Sequence, residues 1–156
     1  MITFKPVTES SIAALMRVEN ACHTHPWTVN TMQSCLAGRY FNLAAFQAEQ
    51  MVGFYIGEKA GPDFTLMDIC VAPDFQGQGI AKQLLAAFIG YGEQHQAENL
   101  FLEVRETNTR AIALYEQAGF SEMSVRKDYY PSDDPAKNGH EDAILMGMTL
   151  LFGQLT

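Results

Sequence analysis

The chain has 156 residues, 47% of them hydrophobic and 18% charged, enough to bury a core without staples, and it reads as a single domain over 1–156. Eighteen acids against ten bases leave a net charge of −8; this argues against general binding of a nucleic-acid backbone, whose affinity comes from neutralised phosphates, and favours a basic partner. No apolar run could span a bilayer, the first residues show no signal-peptide pattern, and three cysteines at unrelated spacings suggest a reducing compartment, so the expectation is a cytoplasmic protein with no membrane association.

In chain order, "ITFKPVT" reads as a first strand, and Thr8 or Ser10 can cap a helix carrying Ile12, Leu15, Met16 and Val18. Thr28 in "HPWTVNTMQSCL" can cap a short second helix. "FNLAAFQAEQMVGFYIGEKA" reads as a hairpin, and "FTLMDICVA" as a further strand. "GIAKQLLAAFIGYGEQHQ" is a long amphipathic helix, "NLFLEVR" a strand, and "NTRAIALYEQAG" a helix that stops at Gly119. "FSEMSVRKDYY" and "DAILMGMTL" read as two last strands around the polar loop "PSDDPAKNGHE". The order predicts a mixed α/β sheet rather than a strict βαβ alternation.

The chemistry starts in "CVAPDFQGQGIAKQLL", where a strand runs through a glycine-rich turn into a helix. Such a turn can hold phosphate, because glycine lets the backbone approach and a helix N-terminus attracts anions. A nucleotide-triphosphate loop is excluded, since no Ser or Thr follows Lys82 to hold magnesium. A dinucleotide fingerprint lacks its third glycine, and three strands run ahead of the turn where that fingerprint needs a βαβ unit.

Gln76-Gly77-Gln78-Gly79-Ile80-Ala81 resembles the Arg/Gln-x-x-Gly-x-Gly/Ala motif of the GNAT family of acetyl-CoA-dependent N-acetyltransferases. "NTRAIALYEQAGF" is similar to that family's second motif, in the right order and spacing. "HPWT", "RYFNL", "LEVRETN", "RKDYYP" and "EDAILM" resemble the RimI branch, the bacterial ribosomal-protein-alanine N-acetyltransferases. The resemblance implies the GNAT acyl-CoA N-acyltransferase fold, a mostly antiparallel central sheet flanked by helices. It implies acetyl-CoA as cosubstrate, no metal, and as acceptor the basic N-terminus of a small-subunit ribosomal protein, acetylated on its first alanine. It places the coenzyme pyrophosphate on the amides of Gly77, Gln78, Gly79, Ile80, Ala81 and Lys82, and the pantetheine arm along Ile69, Cys70 and Val71. Position 77 is glycine where that branch often carries a base, which leaves Lys82 and Arg110 as the cations near the nucleotide.

Strand alternation sets Glu103 on one face with Phe101 and Arg105, opposite Leu102 and Val104; the pattern alone favours an exposed carboxylate paired with Arg105. An α-ammonium with a pKa of about 8 must lose a proton before attacking a thioester, and a carboxylate among apolar neighbours can take it. The resemblance gives Glu103 that role. Tyr115 reads by itself as a half-buried core residue; the resemblance makes it the proton donor to departing coenzyme A and adds it to the cofactor site. Asn108 caps its helix and by resemblance also contacts the cofactor. The Val71 N–H could serve an oxyanion if its strand bulges. Cys70 reads as a small buried hydrophobe, with no histidine placed beside it by sequence, so an acyl-cysteine route is not expected. "CHTH" reads as surface histidines, because close ligands without a distant fourth make a weak metal site. Met67, Met123, Met146 and Met148 read as core filling.

Arg126, Tyr129 and Tyr130 should flank the cleft on the acceptor side, with Trp27 and Glu19 closing the other. A small amine, of polyamine or aminoglycoside type, is the alternative acceptor. A non-catalytic acyl-CoA binder should have lost Glu103 or Tyr115, and both are present.

Overall fold

The computed structural model describes residues 1–150. The elements are β1 (Ile2–Lys5), α1 (Ile12–Cys22), α2 (Val29–Ser34), β2 (Tyr40–Gln47), β3 (Gln50–Ala60), β4 (Asp63–Val71), α3 (Ile80–Gln94), β5 (Asn99–Arg105), α4 (Thr109–Ala118), β6 (Ser121–Pro131) and β7 (His140–Thr149). Their order is the one the sequence predicts. β1 stops before Pro6, which lacks the N–H a ladder needs. Thr28 caps α2 by accepting from the Thr31 N–H at 3.2 Å, Asn108 caps α4 through the Ala111 N–H at 3.2 Å, and Gly119 ends α4 at a φ of 111°.

The seven strands form one sheet in the order β1-β2-β3-β4-β5-β7-β6, antiparallel everywhere except between β4 and β5. α1 and α2 cover one face, where Leu15, Val18, Met32, Phe54 and Cys70 are buried together. α3 and α4 cover the other, over Val71, Leu84, Phe88, Leu102 and Tyr115. Cys70 and Val71, adjacent in sequence, therefore belong to opposite layers, as strand alternation requires.

Two irregularities shape the site. β4 opposes Leu66 to Gly57 and Asp68 to Ile56, so Met67 bulges out unpaired. β4 and β5 pair only from Asp63↔Asn99 to Leu66↔Leu102. Beyond that point the strands part, leaving a gap between Met67–Val71 and Glu103–Arg105.

The methionine expectation fails at two positions. Met146 is buried, but Met67 is 38% and Met123 57% exposed. Met67 is the bulge residue, and Met123 lies on the edge strand β6, whose side chains face solvent along nearly its whole length.

Candidate active site

The gap between β4 and β5 opens into a cavity of about 1300 Å³. Its walls are the end of α1 with Trp27, the second half of β4, the glycine turn with the start of α3, the end of β5, α4, and Tyr129–Asp133. His25 Nε2 meets Asp133 Oδ1 at 3.5 Å, joining the α1–α2 segment to the β6–β7 loop.

At one end lies the glycine turn. Gly77 and Gly79 have φ values of 82° and 81°, the left-handed region that penalises any side chain, and a Cβ on either would meet no atom within 4 Å. Gln76 tethers the turn to the strand by donating from Nε2 to the Val71 carbonyl at 2.9 Å. Gln83 N–H makes the first bond of α3, to the Gly79 carbonyl at 3.1 Å. The amides ahead of it have no partner within the helix, so they form a short positive cradle. Lys82 and Arg110 also line the cavity. Gly77, Gly79, Ile80, Ala81 and Lys82 face it, as do Ile69, Cys70, Val71 and Asn108. Gln78 is not part of the lining.

Across the cavity stands Glu103. Its Oε1 lies 3.4 Å from Arg126 Nη2, while Oε2 is buried and has no hydrogen-bond partner among the described residues. The pairing with Arg105 that strand alternation allows does not form. Arg105 instead donates to the Pro131 carbonyl at 2.6 Å and lies 4.6 Å over the Tyr130 ring. Arg126 is outside the cavity lining and reaches it through Glu103; its guanidinium lies 5.1 Å from the Tyr129 ring centroid. Tyr129 and Tyr130 meet edge to face at 5.0 Å. Burial, with Glu103 nearby, pushes the Tyr130 phenol up to about 12. Tyr115 is buried too, and desolvation first, then the charge of Asp68, hold its phenol well above the ordinary value. It therefore stays a proton-bearing hydroxyl throughout the neutral range.

The α1 side departs most from the sequence reading. His23 is not a free surface histidine: Nε2 lies 3.0 Å from Asp68 Oδ1 and 3.0 Å from Cys70 Sγ. Cys70 therefore has the histidine neighbour the sequence could not place. Its thiol donates to Glu19 Oε1 at 3.2 Å and sits 3.4 Å from Asp68 Oδ1. Glu19 lines the cavity beside Trp27 as expected but is only 1% exposed, and its Oε2 accepts the Trp27 N–H at 2.9 Å. Burial opposes the charged forms of His23 and Asp68, but their pairing overrides it, raising the imidazole and lowering the carboxyl. Glu19 is raised by its own burial and by Asp68 beside it. Burial likewise raises the Cys70 thiol well above the usual range, so Cys70 is no ready nucleophile. Cys22 goes down to about 6, chiefly through the hydrogen bond from Cys70, with His23 and the Val71 amide adding to it against burial. The contacts of His23 with Asp68 and Cys70, and of Cys70 with Glu19, join residues 45 to 51 positions apart, beyond any local pattern.

The profile of the acetyltransferase (GNAT) family matches residues 12–120. The chain is 37% identical over 150 residues to the [ribosomal protein bS18]-alanine N-acetyltransferase of Escherichia coli K12, covering 96% of this chain and 99% of that one. It is 34% identical to the enzyme of the same name from Haemophilus ducreyi, over 92% of this chain and 97% of that one. The crystal structure of the ribosomal-protein-S18-alanine N-acetyltransferase from Escherichia coli superposes with a TM-score of 0.90 at 36% identity, covering 96% and 94% of the two chains. Arabidopsis thaliana NAA60 in complex with acetyl-CoA shares the fold, with a TM-score of 0.85 at 17% identity over 96% of this chain and 99% of that one. A strand–glycine turn–helix at the mouth of a parted sheet, and a family match over more than half of the sequence, lead to one conclusion: this chain belongs to the acetyltransferase (GNAT) family.

Proposed function

We propose that the chain, as one domain, is an acetyl-CoA-dependent N-acetyltransferase that acetylates the N-terminal alanine of a small-subunit ribosomal protein by direct transfer. The observation that carries this reading is the parting of β4 from β5, with an anion cradle at one end and, at the other, a buried carboxylate oxygen, Glu103 Oε2, that has no partner among the described residues. The near full-length likeness to bS18-alanine N-acetyltransferases supports the choice of acceptor.

Acetyl-CoA supplies the acetyl group, activated as a thioester. The residues present suit it: the amides of Gly77 and of Gly79–Lys82 would receive the pyrophosphate, and the edge of β4 over Ile69–Val71, which β5 leaves unpaired, would receive the pantetheine arm as a sheet edge receives a peptide. Asn108 holds the start of α4 beside it. Glu103, directly or through a water, takes a proton from the α-ammonium. The Val71 amide, which in this structure faces the Cys22 sulfur, would turn to the developing oxyanion. Tyr115, which burial keeps protonated, donates a hydrogen bond to the departing sulfur, and the thiolate then takes up a proton released from the amine. Trp27, Tyr129 and Tyr130 orient the peptide, while Arg126 acts through its contact with Glu103. The transfer as written draws on no metal. A cytoplasmic setting follows from the ribosomal acceptor, and no helix among the described residues is long and apolar enough to cross a membrane.

The test is a mass-spectrometric assay with acetyl-CoA and a panel of peptides differing at the first residue, beside spermidine and an aminoglycoside. A basic peptide beginning with alanine should gain one acetyl group on its α-amine, faster than any other acceptor. If the small amines react as fast, the ribosomal reading is wrong and a small-amine enzyme takes its place.

A further inference from the structure

The α1 wall of the cavity carries two thiols and an imidazole whose side chains acyl transfer does not use. Cys22, the last residue of α1, stands with His23 and Cys70 so that their sulfur and nitrogen atoms lie within 4.8 Å of one another. Both cysteines are free thiols. Cys22 is half-buried and lines the cavity, so a small solute reaches it, whereas Cys70 is 1% exposed. The Cys70 thiol and the Val71 amide both face the Cys22 sulfur, and with His23 nearby they bring its pKa down to about 6, so Cys22 is a thiolate at neutral pH. An accessible thiolate beside a second thiol is the arrangement of a peroxide-reactive cysteine with a resolving partner.

We propose that Cys22 and Cys70 are a redox-modification site, joined reversibly into a disulfide by an oxidant of the peroxide class. The Cys22 thiolate attacks one peroxide oxygen, the O–O bond breaks, and the departing hydroxide takes up a proton and leaves as water. Cys22 is then a sulfenic acid. The Cys70 sulfur attacks the Cys22 sulfur, the S–O bond breaks, and the hydroxyl leaves with the Cys70 proton as a second water. His23 Nε2, 3.0 Å from Cys70 Sγ, is placed to pass that proton on. The two thiols are oxidised and the peroxide is reduced to water. A disulfide of about 2.05 Å asks the sulfurs to close by less than about 3 Å, which side-chain rotation at a helix end supplies. Oxidation also takes from Glu19 Oε1 the thiol hydrogen it accepts at 3.2 Å, while Glu19 Oε2 holds the Trp27 N–H. In the function proposed above Trp27 meets the acceptor, so the disulfide weakens peptide binding; that consequence rests on that reading, and the disulfide itself does not.

The experiment uses the untagged full chain, reduced and free of acetyl-CoA. It is exposed to equimolar hydrogen peroxide, blocked with N-ethylmaleimide in denaturant and mapped by peptide mass spectrometry. The wild type should yield peptides joined through Cys22 and Cys70 and separated again by dithiothreitol. Cys35, a buried thiol outside the cluster, should be blocked throughout, and Cys22 should be consumed more than about tenfold faster than Cys35. Cys22→Ser should form no disulfide and leave Cys70 open to the blocking reagent. Cys70→Ser should stop at a Cys22 sulfenic acid that dimedone traps. Circular dichroism checks the fold, and Cys22→Ser, at a half-buried position, keeps the test decisive where Cys70→Ser does not fold. The proposal is overturned if wild-type Cys22 passes to sulfinic acid while Cys70 stays open to blocking, if Cys22 pairs with Cys35, or if it reacts no faster than Cys35. Acetylation of the alanine peptide is then compared before and after oxidation. Its KM should rise several-fold and return with dithiothreitol. A disulfide without that change overturns the effect on peptide binding, whereas no acetylation by either form strikes the function proposed above and leaves the disulfide standing.

Discussion

Glu103 is held by one arm and free by the other. Arg126 touches Oε1 at 3.4 Å, and Oε2 is buried without a partner among the described residues, on a residue that lines the cavity. A carboxylate in that position can receive a proton without first breaking a hydrogen bond. Replacing Glu103 with Gln removes the acceptor and keeps the shape, so kcat should fall about a hundredfold or more at neutral pH. The deficit should shrink above pH 8, because an amine with a pKa of about 8 is then already free. A deficit independent of pH would show that Glu103 positions rather than accepts. Tyr115→Phe should lower kcat by about one to two orders of magnitude with little change in acetyl-CoA affinity, since the ring stays and only the donor goes. Intact mass should show no acetyl group on Cys70, whose thiol burial holds protonated; a trapped acetyl-Cys70 would overturn direct transfer. At this scale the sequence was half legible. Alternation separated Glu103 from its apolar neighbours, yet it favoured Arg105 as partner when Arg126, two strands away, fills that place. His23 and Cys70 could not be joined at all, because a helix end and a strand meet there only through the tertiary fold.

At the scale of elements, the site depends on two features with different visibility. The glycine turn was plain in the sequence, because Gly77 and Gly79 stand where left-handed φ is needed. Gly79→Val puts a β-branched residue at a φ of 81°, at a strain of roughly 1–3 kcal/mol. The N-terminal amides of α3 should lose their alignment, and the KM for acetyl-CoA should rise about tenfold, one decade for each 1.4 kcal/mol. Unchanged cofactor affinity in a folded Gly79→Val protein would remove the phosphate site from the turn. The parting of β4 and β5 was not visible, since "FTLMDICVA" and "NLFLEVR" both read as ordinary strands. The bulge at Met67 is the physical cause that composition hides. One extra residue bends β4 where its pairing with β5 ends, and it turns a methionine expected inside toward solvent. The same limit applies to β6, whose pairing with β7 shifts between Arg126 and Tyr130 while Asp128 takes a φ of 52°. That irregularity presents Tyr129 and Tyr130 to the cavity mouth.

At the scale of the molecule, one apolar layer holds α3 against the sheet and thereby fixes the cradle relative to Glu103. Phe88, fully buried, stacks on Phe41 at 6.0 Å and meets Tyr55 edge-on at 5.8 Å. Phe88→Ala should cost about 3–5 kcal/mol in urea unfolding; a loss under about 1 kcal/mol would mean that α3 is held by something other than this layer. The layered order of the sheet was legible from hydrophobic periodicity, because each amphipathic helix had only one apolar face to bury. The acceptor was legible only through the likeness of whole motifs to the RimI branch, since periodicity says nothing of the few exposed aromatics and the overall charge that a peptide would meet. Tyr129 is 49% exposed beside the cavity, and Tyr130 is fixed under Arg105. A peptide backbone lying there can use both rings, whereas acetyl-CoA binding at the far end of the cavity needs neither. Tyr130→Ala should therefore raise the KM for the peptide about tenfold or more and leave acetyl-CoA affinity unchanged, as removal of a buried aromatic anchor does at other interfaces. The net charge of −8 adds a long-range pull on a basic peptide that salt weakens, because the Debye length falls from about 10 Å at 0.1 M to about 3 Å at 1 M. The peptide KM should rise steadily over that range while kcat holds. A small polycation would show the same salt response but would be indifferent to Tyr130, so the two measurements together separate a peptide acceptor from a free amine.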